Sequence, residues 1–159
     1  MTQDLEQKLK GMRGTRFFGD VHGNFAAFSI MVDDALKHGW RLHSLGDIPD
    51  KGPRSPDCMR LACDLADEGL LELTPGNHCE KFMRWMQGRP VKLRANGLGL
   101  TVRQLASDPD GKRTAERYFN LVAESRLWHR FGDLYAVHAA FHRMMLGRDG
   151  PELHAYSGS

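Results

Sequence analysis

The sequence predicts an α/β fold, and two observations lead to this prediction. Short apolar runs alternate with amphipathic segments in the order strand, helix, strand, helix, strand, helix. The apolar runs also end alike, because each is followed by Gly-Asp or by Gly-Asn-His. Such an alternation is typical of a sheet with helices packed against it, and ligands gather at the carboxyl ends of its strands.

The first strand and helix lie near the start of the chain. The run TRFFGD (residues 15–20) is a short apolar segment that ends in a polar turn, as expected of a buried strand entering a loop. The segment NFAAFSIMVDDALKHG (24–39) follows, and Gly39 is a plausible stop for a helix. Its apolar residues share one helical face: Phe25, Phe28, Met31, Val32, Ala35 and Leu36.

The second strand and helix repeat this pattern. WRLHSLGD (40–47) is again a strand that ends in Gly-Asp, and SPDCMRLACDLADEG (55–69) is again helical. We expect Ser55 to be the N-cap, Pro56 to occupy the first turn and Gly69 to end the helix.

The remaining elements are less regular. LLELTPGNH (70–78) is a third strand that opens into a polar loop, and EKFMRWMQG (80–88) begins another helix. Residues 89–126 are polar and predicted to be helical, with a break at SDPDGK (107–112). LYAVHAAFH (134–142) is predicted to be a fourth strand that ends in histidine.

Size and composition indicate one ordinary globular domain over residues 1–159. Hydrophobic residues make up 41% of the chain, charged residues 26%, and the formal charge is only +2. This charge is too small to indicate a nucleic-acid or membrane partner. Residues 1–15 resemble a polar arm or helix rather than a signal peptide, and no apolar run would span a bilayer. Three cysteines without CxxC spacing predict no disulfide framework and favour a reducing cytoplasm.

Polar residues follow all four predicted strands: Asp20, His22, Asp47, Asn77 and His138. Each alone is explained as well by a turn, a cap or a satisfied polar group. Together they would meet at one edge of the sheet, where two carboxylates and two imidazoles need a cation to offset the cost of burial. Mixed nitrogen and oxygen ligands suit manganese, iron, zinc or similar metals.

These motifs resemble the calcineurin-like metallophosphoesterases, in the branch of the PPP-type protein phosphatases. That family's signatures read GDxHG, GDxxDRG, GNH(E/D) and VHAG, and this chain has GDVHG, GDIPDKG, GNHCE and VHAA in the same order. The runs GNHCEKFMRWMQGRPVKL and HAAFHRMMLGR are most similar to the phosphatase module of bacterial polynucleotide kinase-phosphatases. Symmetrical dinucleoside-tetraphosphate hydrolases are similar in the same core motifs. The resemblance implies a β-sandwich flanked by helices around a βαβαβ core.

The resemblance also implies roles for individual residues. Asp20 and His22 would hold a first divalent metal, Asp47 would bridge two metals, and Asn77 and His138 would hold the second. Manganese is expected, with iron, zinc, nickel or cobalt as alternatives, and a hydroxide bridging the ions would attack phosphorus.

A second group of residues would act on the substrate. His78 would be the general acid, oriented by Asp50, while Lys51 and Arg54 would bind the substrate phosphate.

The chain departs from the family pattern at several points. Lys51 stands where the family has an arginine, and Cys79 replaces an acidic residue. The family's late GHT segment, which supplies one more histidine to the second metal, is missing, and only His142 and His154 could replace it. We therefore expect the C-terminal part of the family domain to be absent, the second sheet to be incomplete and the second metal site to be the weaker one.

Two classes of function remain open. The first is a metal-dependent phosphoesterase acting on a phosphoprotein, a nucleic-acid end or a dinucleoside polyphosphate. The second is an impaired module of the same fold that serves in binding or regulation. His78 and Asp50 together favour the enzyme, whereas Lys51, Cys79 and the missing histidine favour the second class. The sequence predicts no membrane partner and leaves the oligomeric state open.

Overall fold

A computed structural model describes residues 11–147 and 150–151 of the chain. The described part contains five strands, five α-helices and one 3-10 turn at Arg143–Met145. The strands are β1 (Gly14–Phe18), β2 (Trp40–Ser44), β3 (Leu71–Leu73), β4 (Trp128–Phe131) and β5 (Leu134–Val137). The helices are α1 (Phe25–Lys37), α2 (Ser55–Asp67), α3 (Asn77–Met86), α4 (Leu98–Ser107) and α5 (Gly111–Glu124).

The main sheet is three-stranded and parallel, in the order β1-β2-β3. The helices α1 and α2 connect its strands, so the α/β class and the βαβαβ core predicted from the sequence are confirmed. Because all three strands run the same way, the loops that follow them lie at one edge of the sheet. The strand β1 begins at Gly14, so the last two residues of the predicted N-terminal arm belong to the sheet.

A second, two-stranded sheet consists of the antiparallel hairpin β4-β5. The sequence analysis predicted only β5, and the structure ends that strand at Val137 rather than at His142. The missed strand β4 is four residues long and is turned back by Gly132, whose φ of 63° is readily adopted only without a side chain.

The first helix agrees with its predicted apolar face. Phe28, Val32 and Ala35 are buried in the core, and Asn24 caps the helix by accepting a hydrogen bond from the Ala27 amide at 3.2 Å. The second helix differs at its start. Arg54 occupies the N-cap and Ser55 is the first helical residue, so the prediction that Ser55 caps α2 is wrong.

The third helix begins three residues earlier than predicted. It starts at Asn77 with Gly76 at the N-cap, whereas the sequence suggested a loop up to Cys79. The first two predicted site residues of this segment therefore belong to a helical turn rather than to a loop. None of the helices in residues 11–147 has the length and apolar character needed to cross a bilayer.

The three cysteines are free thiols, and all are buried. Burial raises the pKa of Cys58 and Cys63 to about 12 and also raises the pKa of Cys79 above its ordinary value. Because the thiolate is the reactive form, we expect iodoacetamide at pH 8 to label the folded protein at least about a hundredfold more slowly than the urea-unfolded chain. Mass spectrometry of timed aliquots measures this ratio. Rapid labelling of the native protein would contradict the buried arrangement.

Candidate metal and phosphate site

The loops after β1 and β2 are held together by backbone hydrogen bonds. The amide of Asp20 donates to the Gly46 carbonyl at 3.2 Å, and the amide of His22 donates to the Asp47 carbonyl at 3.0 Å. These bonds continue the pairing of β1 and β2 beyond the strands. The GDVHG and GDIPD segments are consequently fixed next to each other at the carboxyl edge of the sheet.

Five non-glycine residues in the described part of the chain have a positive φ, between 47° and 75°. All five are residues that the sequence analysis placed in the site: Asp20, His22, Asp47, Asp50 and Lys51. This conformation is unfavourable for residues with a side chain, and it persists where the surrounding structure enforces it. This backbone strain lowers stability, so it indicates that the two loops serve a function.

Two overlapping groups of metal-competent side chains lie at this edge. Ligand atoms of Asp20, Asp47 and His138 lie within 4.8 Å of one another, and so do those of His22, Asp47 and His78. Asp47 belongs to both groups and is buried. The structure therefore brings together residues of the segments that follow β1, β2, β3 and β5 around one central carboxylate.

Two of the three histidines in this cluster, His22 and His138, are oriented by backbone carbonyls. The Nδ1 atom of His138 lies 2.6 Å from the Leu45 carbonyl, and Nδ1 of His22 lies 3.3 Å from the Pro49 carbonyl. Each carbonyl accepts a hydrogen bond from Nδ1–H of its ring, which leaves the Nε2 lone pair directed at the site. Metal-binding histidines are held by hydrogen bonds of this kind.

His138 faces other acceptor atoms. Its Nε2 atom lies 3.2 Å from Oδ1 of Asn77 and 3.5 Å from Oδ2 of Asp47. With Nδ1 carrying the ring proton, the Nε2 atom of His138 presents a lone pair to Oδ1 of Asn77 and to Oδ2 of Asp47, which are also acceptors. A cation between them would remove this repulsion, so the donor chemistry fits a divalent metal.

Gly76 allows the helix α3 to approach the cluster. A Cβ at this position would lie 2.2 Å from Oδ1 of Asp47 and 2.5 Å from Cε1 of His138. In return, Oδ1 of Asp47 accepts a hydrogen bond of 2.9 Å from the His78 amide. The carboxylate thus caps α3, and the positive end of the helix dipole faces the anionic centre.

His78 forms a second functional unit with Asp50. Its Nδ1 atom lies 2.6 Å from Oδ2 of Asp50, which is fully buried. The other oxygen of Asp50 accepts a hydrogen bond of 2.6 Å from the Thr101 hydroxyl. The Asp50 amide in turn donates to Thr101 and to Ser55, each at 3.1 Å. Asp50 is therefore fixed on both sides and holds the His78 ring in one orientation.

Thr101 is the site residue that the sequence analysis missed. It lies 51 positions from Asp50 in the sequence and is buried on α4. Ser55, expected to cap α2, supports Asp50 instead. Neither role has a local signal, because each depends on how α4 packs against the loop after β2.

The two predicted phosphate-binding residues are placed differently. Lys51 lies at the site, with Nζ 2.8 Å from Nε2 of His22. Arg54 bonds to Asp57 at 2.6 Å, and its guanidinium lies 4.3 Å from the centre of the Phe25 ring. As placed, Arg54 is directed along α2, and its predicted role in phosphate binding stays a prediction.

A cavity of about 620 Å³ adjoins His78 and Asp50. Several cationic side chains line it: Lys51, Lys81, Arg84, Lys92 and Arg94. Arg84, Lys92 and Arg94 face this cavity, whereas Arg103 donates to the Ala95 carbonyl at 2.7 Å.

A family model described as calcineurin-like phosphoesterase matches residues 16–149. The chain belongs to the calcineurin-like phosphoesterase family. This membership confirms the resemblance drawn from the four motifs, and it implies that divalent metal ions are bound.

Curated relatives of this calcineurin-like phosphoesterase include proteins named bis(5'-nucleosyl)-tetraphosphatase PrpE (asymmetrical). The protein of Bacillus subtilis is 27% identical over 143 residues, which cover 81% of this chain and 58% of the relative. That of Bacillus mycoides is 29% identical over 154 residues, covering 87% of this chain and 62% of the relative. The chain thus spans about 60% of the length of these relatives.

One solved structure, named as a candidate diadenosine tetraphosphatase, is 23% identical in sequence to this phosphoesterase. The match covers 64% of this chain and 41% of the other, with a TM-score of 0.44.

The structure shows where the residues that depart from the family motifs of this phosphoesterase lie and what they contact. Cys79 is fully buried, and its sulfur lies 3.5 Å from the Tyr118 hydroxyl, so it joins α3 to α5 rather than reaching the site. His142 is exposed, and its amide donates to the sulfur of Met145 at 3.5 Å. His154, the other candidate for a late metal ligand, lies outside the described residues.

Proposed function

We propose that this chain is the core of a metal-dependent phosphoesterase that hydrolyses dinucleoside polyphosphates. The observation that carries the proposal is the position of His78, which is paired with Asp50 and at the same time adjoins His22 and Asp47. A hydrogen-bonded acid beside a cluster of metal ligands suits hydrolysis of a phosphate ester. A purely structural cluster would need no such pair.

The metal ligands divide into two sets that share Asp47. Asp20 and His22 would hold one divalent ion with Asp47, while Asn77 and His138 would hold the other. When bound, these ions supply an activated water and positive charge for the phosphoryl oxygens. Mixed imidazole and oxygen ligands favour manganese, with iron, zinc, nickel and cobalt as alternatives.

His78 would protonate the leaving oxygen of the substrate. Asp50 accepts a hydrogen bond from Nδ1–H, so the opposite nitrogen, Nε2, would carry the transferable proton. The Thr101 hydroxyl holds Asp50 in place and thereby fixes the orientation of the ring. His78 thereby acts as general acid, and Asp50 and Thr101 are positioning residues.

The substrate class follows from the basic cavity and from the names of the relatives. A dinucleoside polyphosphate carries several negative charges beyond the phosphorus under attack. Lys81, Arg84 and Arg94 line the cavity beside His78 and could bind those charges. Lys51 would bind the reacting phosphate itself, as a point charge rather than as a bidentate fork.

The three buried thiols suit a reducing compartment, so we place this activity in the cytoplasm.

Hydrolysis of diadenosine tetraphosphate with manganese tests the proposal. We expect AMP and ATP, or two ADP, to appear on anion-exchange chromatography, with a kcat/KM well above that for a phosphopeptide or a DNA end. Lys81→Ala should raise KM for the tetraphosphate several-fold without a matching effect on p-nitrophenyl phosphate, because the nitrophenyl ester has no further phosphates. Lys112→Ala, which removes an exposed lysine on α5, is the matched control.

The outcomes separate the candidate substrates and the candidate functions. A higher kcat/KM for the phosphopeptide or the DNA end than for diadenosine tetraphosphate would overturn the proposed substrate class. The proposed reaction, hydrolysis of a phosphate ester, would still stand. Absence of hydrolysis of every substrate, p-nitrophenyl phosphate included, would favour the impaired binding module.

The two metal sites should differ in affinity. The first set contains two carboxylates and one imidazole, whereas the second shares one carboxylate and adds a neutral amide and an imidazole. Because a divalent cation is held more tightly by more charge, we expect one manganese equivalent to survive gel filtration and a second to be lost. Mass spectrometry of the metal content measures this, and Asp20→Asn should release the retained equivalent. Two equally retained equivalents would contradict this prediction.

A further inference from the structure

A second cluster of metal-competent side chains lies on a face of the main sheet, away from the strand ends. His43 of β2 and Glu72 of β3 are cross-strand neighbours, and His129 of the hairpin packs over them. The Nδ1 atom of His43 lies 3.6 Å from Oε2 of Glu72, and Nδ1 of His129 lies 3.9 Å from the same oxygen. The calcineurin-like motifs contain none of these residues.

Both imidazoles are oriented by hydrogen bonds through their other nitrogen. The Nε2 atom of His43 lies 2.9 Å from the Thr74 hydroxyl, and Nε2 of His129 lies 3.3 Å from the Leu73 carbonyl. The carbonyl can only accept, so Nε2 of His129 carries the proton and Nδ1 is a lone pair. The Thr74 hydroxyl can also accept a hydrogen bond, and in that tautomer Nδ1 of His43 directs a second lone pair at Glu72. This pattern of outer hydrogen bonds is typical of metal-binding histidines.

The Nδ1 atom of His43 has no hydrogen-bond partner among the described residues, although the side chain is completely buried. A buried polar atom without a partner costs roughly 1–3 kcal/mol and needs an explanation. The separation of 3.6 Å from Glu72 is too long for a hydrogen bond. A metal ion between the two atoms would satisfy the nitrogen and the carboxylate together.

The charge states of the neighbours suit this role. The Glu72 carboxylate lies beside the Arg41 guanidinium and is ionised at neutral pH. Burial and the adjacent His43 lower the pKa of His129, so its ring is neutral at pH 7. Arg41 approaches Oε1 of Glu72 at 3.4 Å and leaves Oε2 directed at the two rings.

We propose that His43, Glu72 and His129 bind one divalent transition-metal ion of the zinc class. A tetrahedral zinc ion with bonds of about 2.0–2.1 Å places its ligand atoms roughly 3.4 Å apart. The observed separations of 3.6 and 3.9 Å are within a few tenths of this value. Glu72 and His129 also line a cavity of about 560 Å³, which provides an entry path and room for a water as fourth ligand.

The site is separate from the phosphoesterase centre in chemistry as well as in position. Its two imidazoles and one carboxylate contain fewer oxygen ligands, so it should prefer zinc to manganese. Phe17 and Phe131 enclose the buried ring of His43, with ring centres 5.4 and 5.2 Å away. An apolar surround of this kind restricts exchange of the ion and favours a structural over a catalytic role.

The test uses the full chain with the phosphoesterase centre disabled by Asp20→Asn and Asp47→Asn. We expect this variant to retain one zinc equivalent after gel filtration, and to give with Co²⁺ the intense visible bands of a four-coordinate ion. Adding Glu72→Gln or His129→Gln should weaken zinc binding at least about tenfold and abolish those bands. Adding His38→Gln, which changes an exposed histidine at the end of α1, should have no effect.

Two results would overturn the proposal. One is a disabled variant that retains no zinc, and the other is retained zinc that neither Glu72→Gln nor His129→Gln weakens. Far-UV circular dichroism checks that each variant is folded. If His129→Gln fails to fold, Glu72→Gln decides alone, because that side chain is 45% exposed and its replacement keeps the same shape. Neither readout depends on hydrolysis, so failure here leaves the proposed phosphoesterase activity untouched.

Discussion

Asp47→Asn should lower kcat/KM for phosphate-ester hydrolysis by about 10³-fold or more and remove the metal-induced gain in thermal stability. Asp47 is the one carboxylate that belongs to both groups of candidate ligands at the strand ends, and it is buried between them. Replacing its charge by an amide weakens both proposed metal sites at once. Metal ions contribute several kcal/mol to such reactions, and each 1.4 kcal/mol corresponds to a factor of ten.

The metal-free stability of the same variant distinguishes a lost ligand from a damaged fold. An asparagine oxygen can still accept the 2.9 Å hydrogen bond from the His78 amide, so the cap of α3 is kept. Without metal, removing one negative charge from the cluster relieves repulsion among its acceptor atoms. We therefore expect the Tm of the metal-free variant to equal or exceed that of the parent, while added manganese no longer raises it.

The matched control is Asp34→Asn. Asp34 lies on α1, is paired with Arg16 on the surface and belongs to none of the proposed ligand sets. This variant should keep both its activity and its manganese-dependent rise in Tm. A parent-like rate for Asp47→Asn, measured after removal of adventitious metal, would refute the proposed bridging role.

The sequence was informative where a feature depends on neighbouring residues. An apolar run followed by Gly-Asp marks a strand end whatever the rest of the chain does, so β1, β2 and the loops at Asp20 and Asp47 could be predicted. The alternation of these runs with amphipathic segments then predicted an α/β fold with helices packed against a sheet. Convergence of the polar ends followed from that topology rather than from any single motif.

The missed features depend on contacts between distant segments. The start of α3 was misplaced because the side chain that caps it belongs to Asp47, 31 positions before His78. No residue next to Gly76 supplies a capping side chain. Thr101 reaches Asp50 from 51 positions away, which no local pattern encodes. Local signals identify helix caps only when the chain next to the helix supplies them.

The cluster of His43, Glu72 and His129 was missed for a related reason. Each residue lies inside a strand, where a polar side chain in the sequence is easily taken for a solvent-facing position. Only the register between β2 and β3, and the packing of the unpredicted strand β4, bring the three together. Register is a property of the assembled sheet, so this site could be found only from the structure.

His78→Ala should affect substrates unequally, according to how basic the leaving oxygen is. A strongly basic alkoxide, such as the one released from a phosphorylated alcohol, needs a proton as the bond breaks. Loss of a positioned general acid then costs about 10²–10⁴-fold in rate. The nitrophenolate released from p-nitrophenyl phosphate is weakly basic and leaves without a proton, so the same variant should lose only a few-fold there.

Dinucleoside polyphosphates resemble the nitrophenyl ester in this respect. Their leaving group is a phosphate oxygen, which is far less basic than an alkoxide because its charge is delocalised. We expect His78→Ala to reduce hydrolysis of diadenosine tetraphosphate less than that of an alkyl phosphate and about as much as that of p-nitrophenyl phosphate. A plot of the logarithm of kcat/KM against leaving-group pKa should be steeper for the variant than for the parent.

Asp50→Asn separates the acid from its orientation. An asparagine oxygen can still accept a hydrogen bond from Nδ1–H of His78, but this bond is weaker than one to a carboxylate, so this variant should show the same order of substrates with smaller losses. The helix start should survive His78→Ala, because Asp47 caps it through the backbone amide at position 78 rather than through the imidazole. Equal losses on alkyl and nitrophenyl esters would mean that His78 acts as a metal ligand, since His22, Asp47 and His78 also lie close enough to share an ion. The slope of the leaving-group plot therefore distinguishes the two roles that the geometry allows for this histidine.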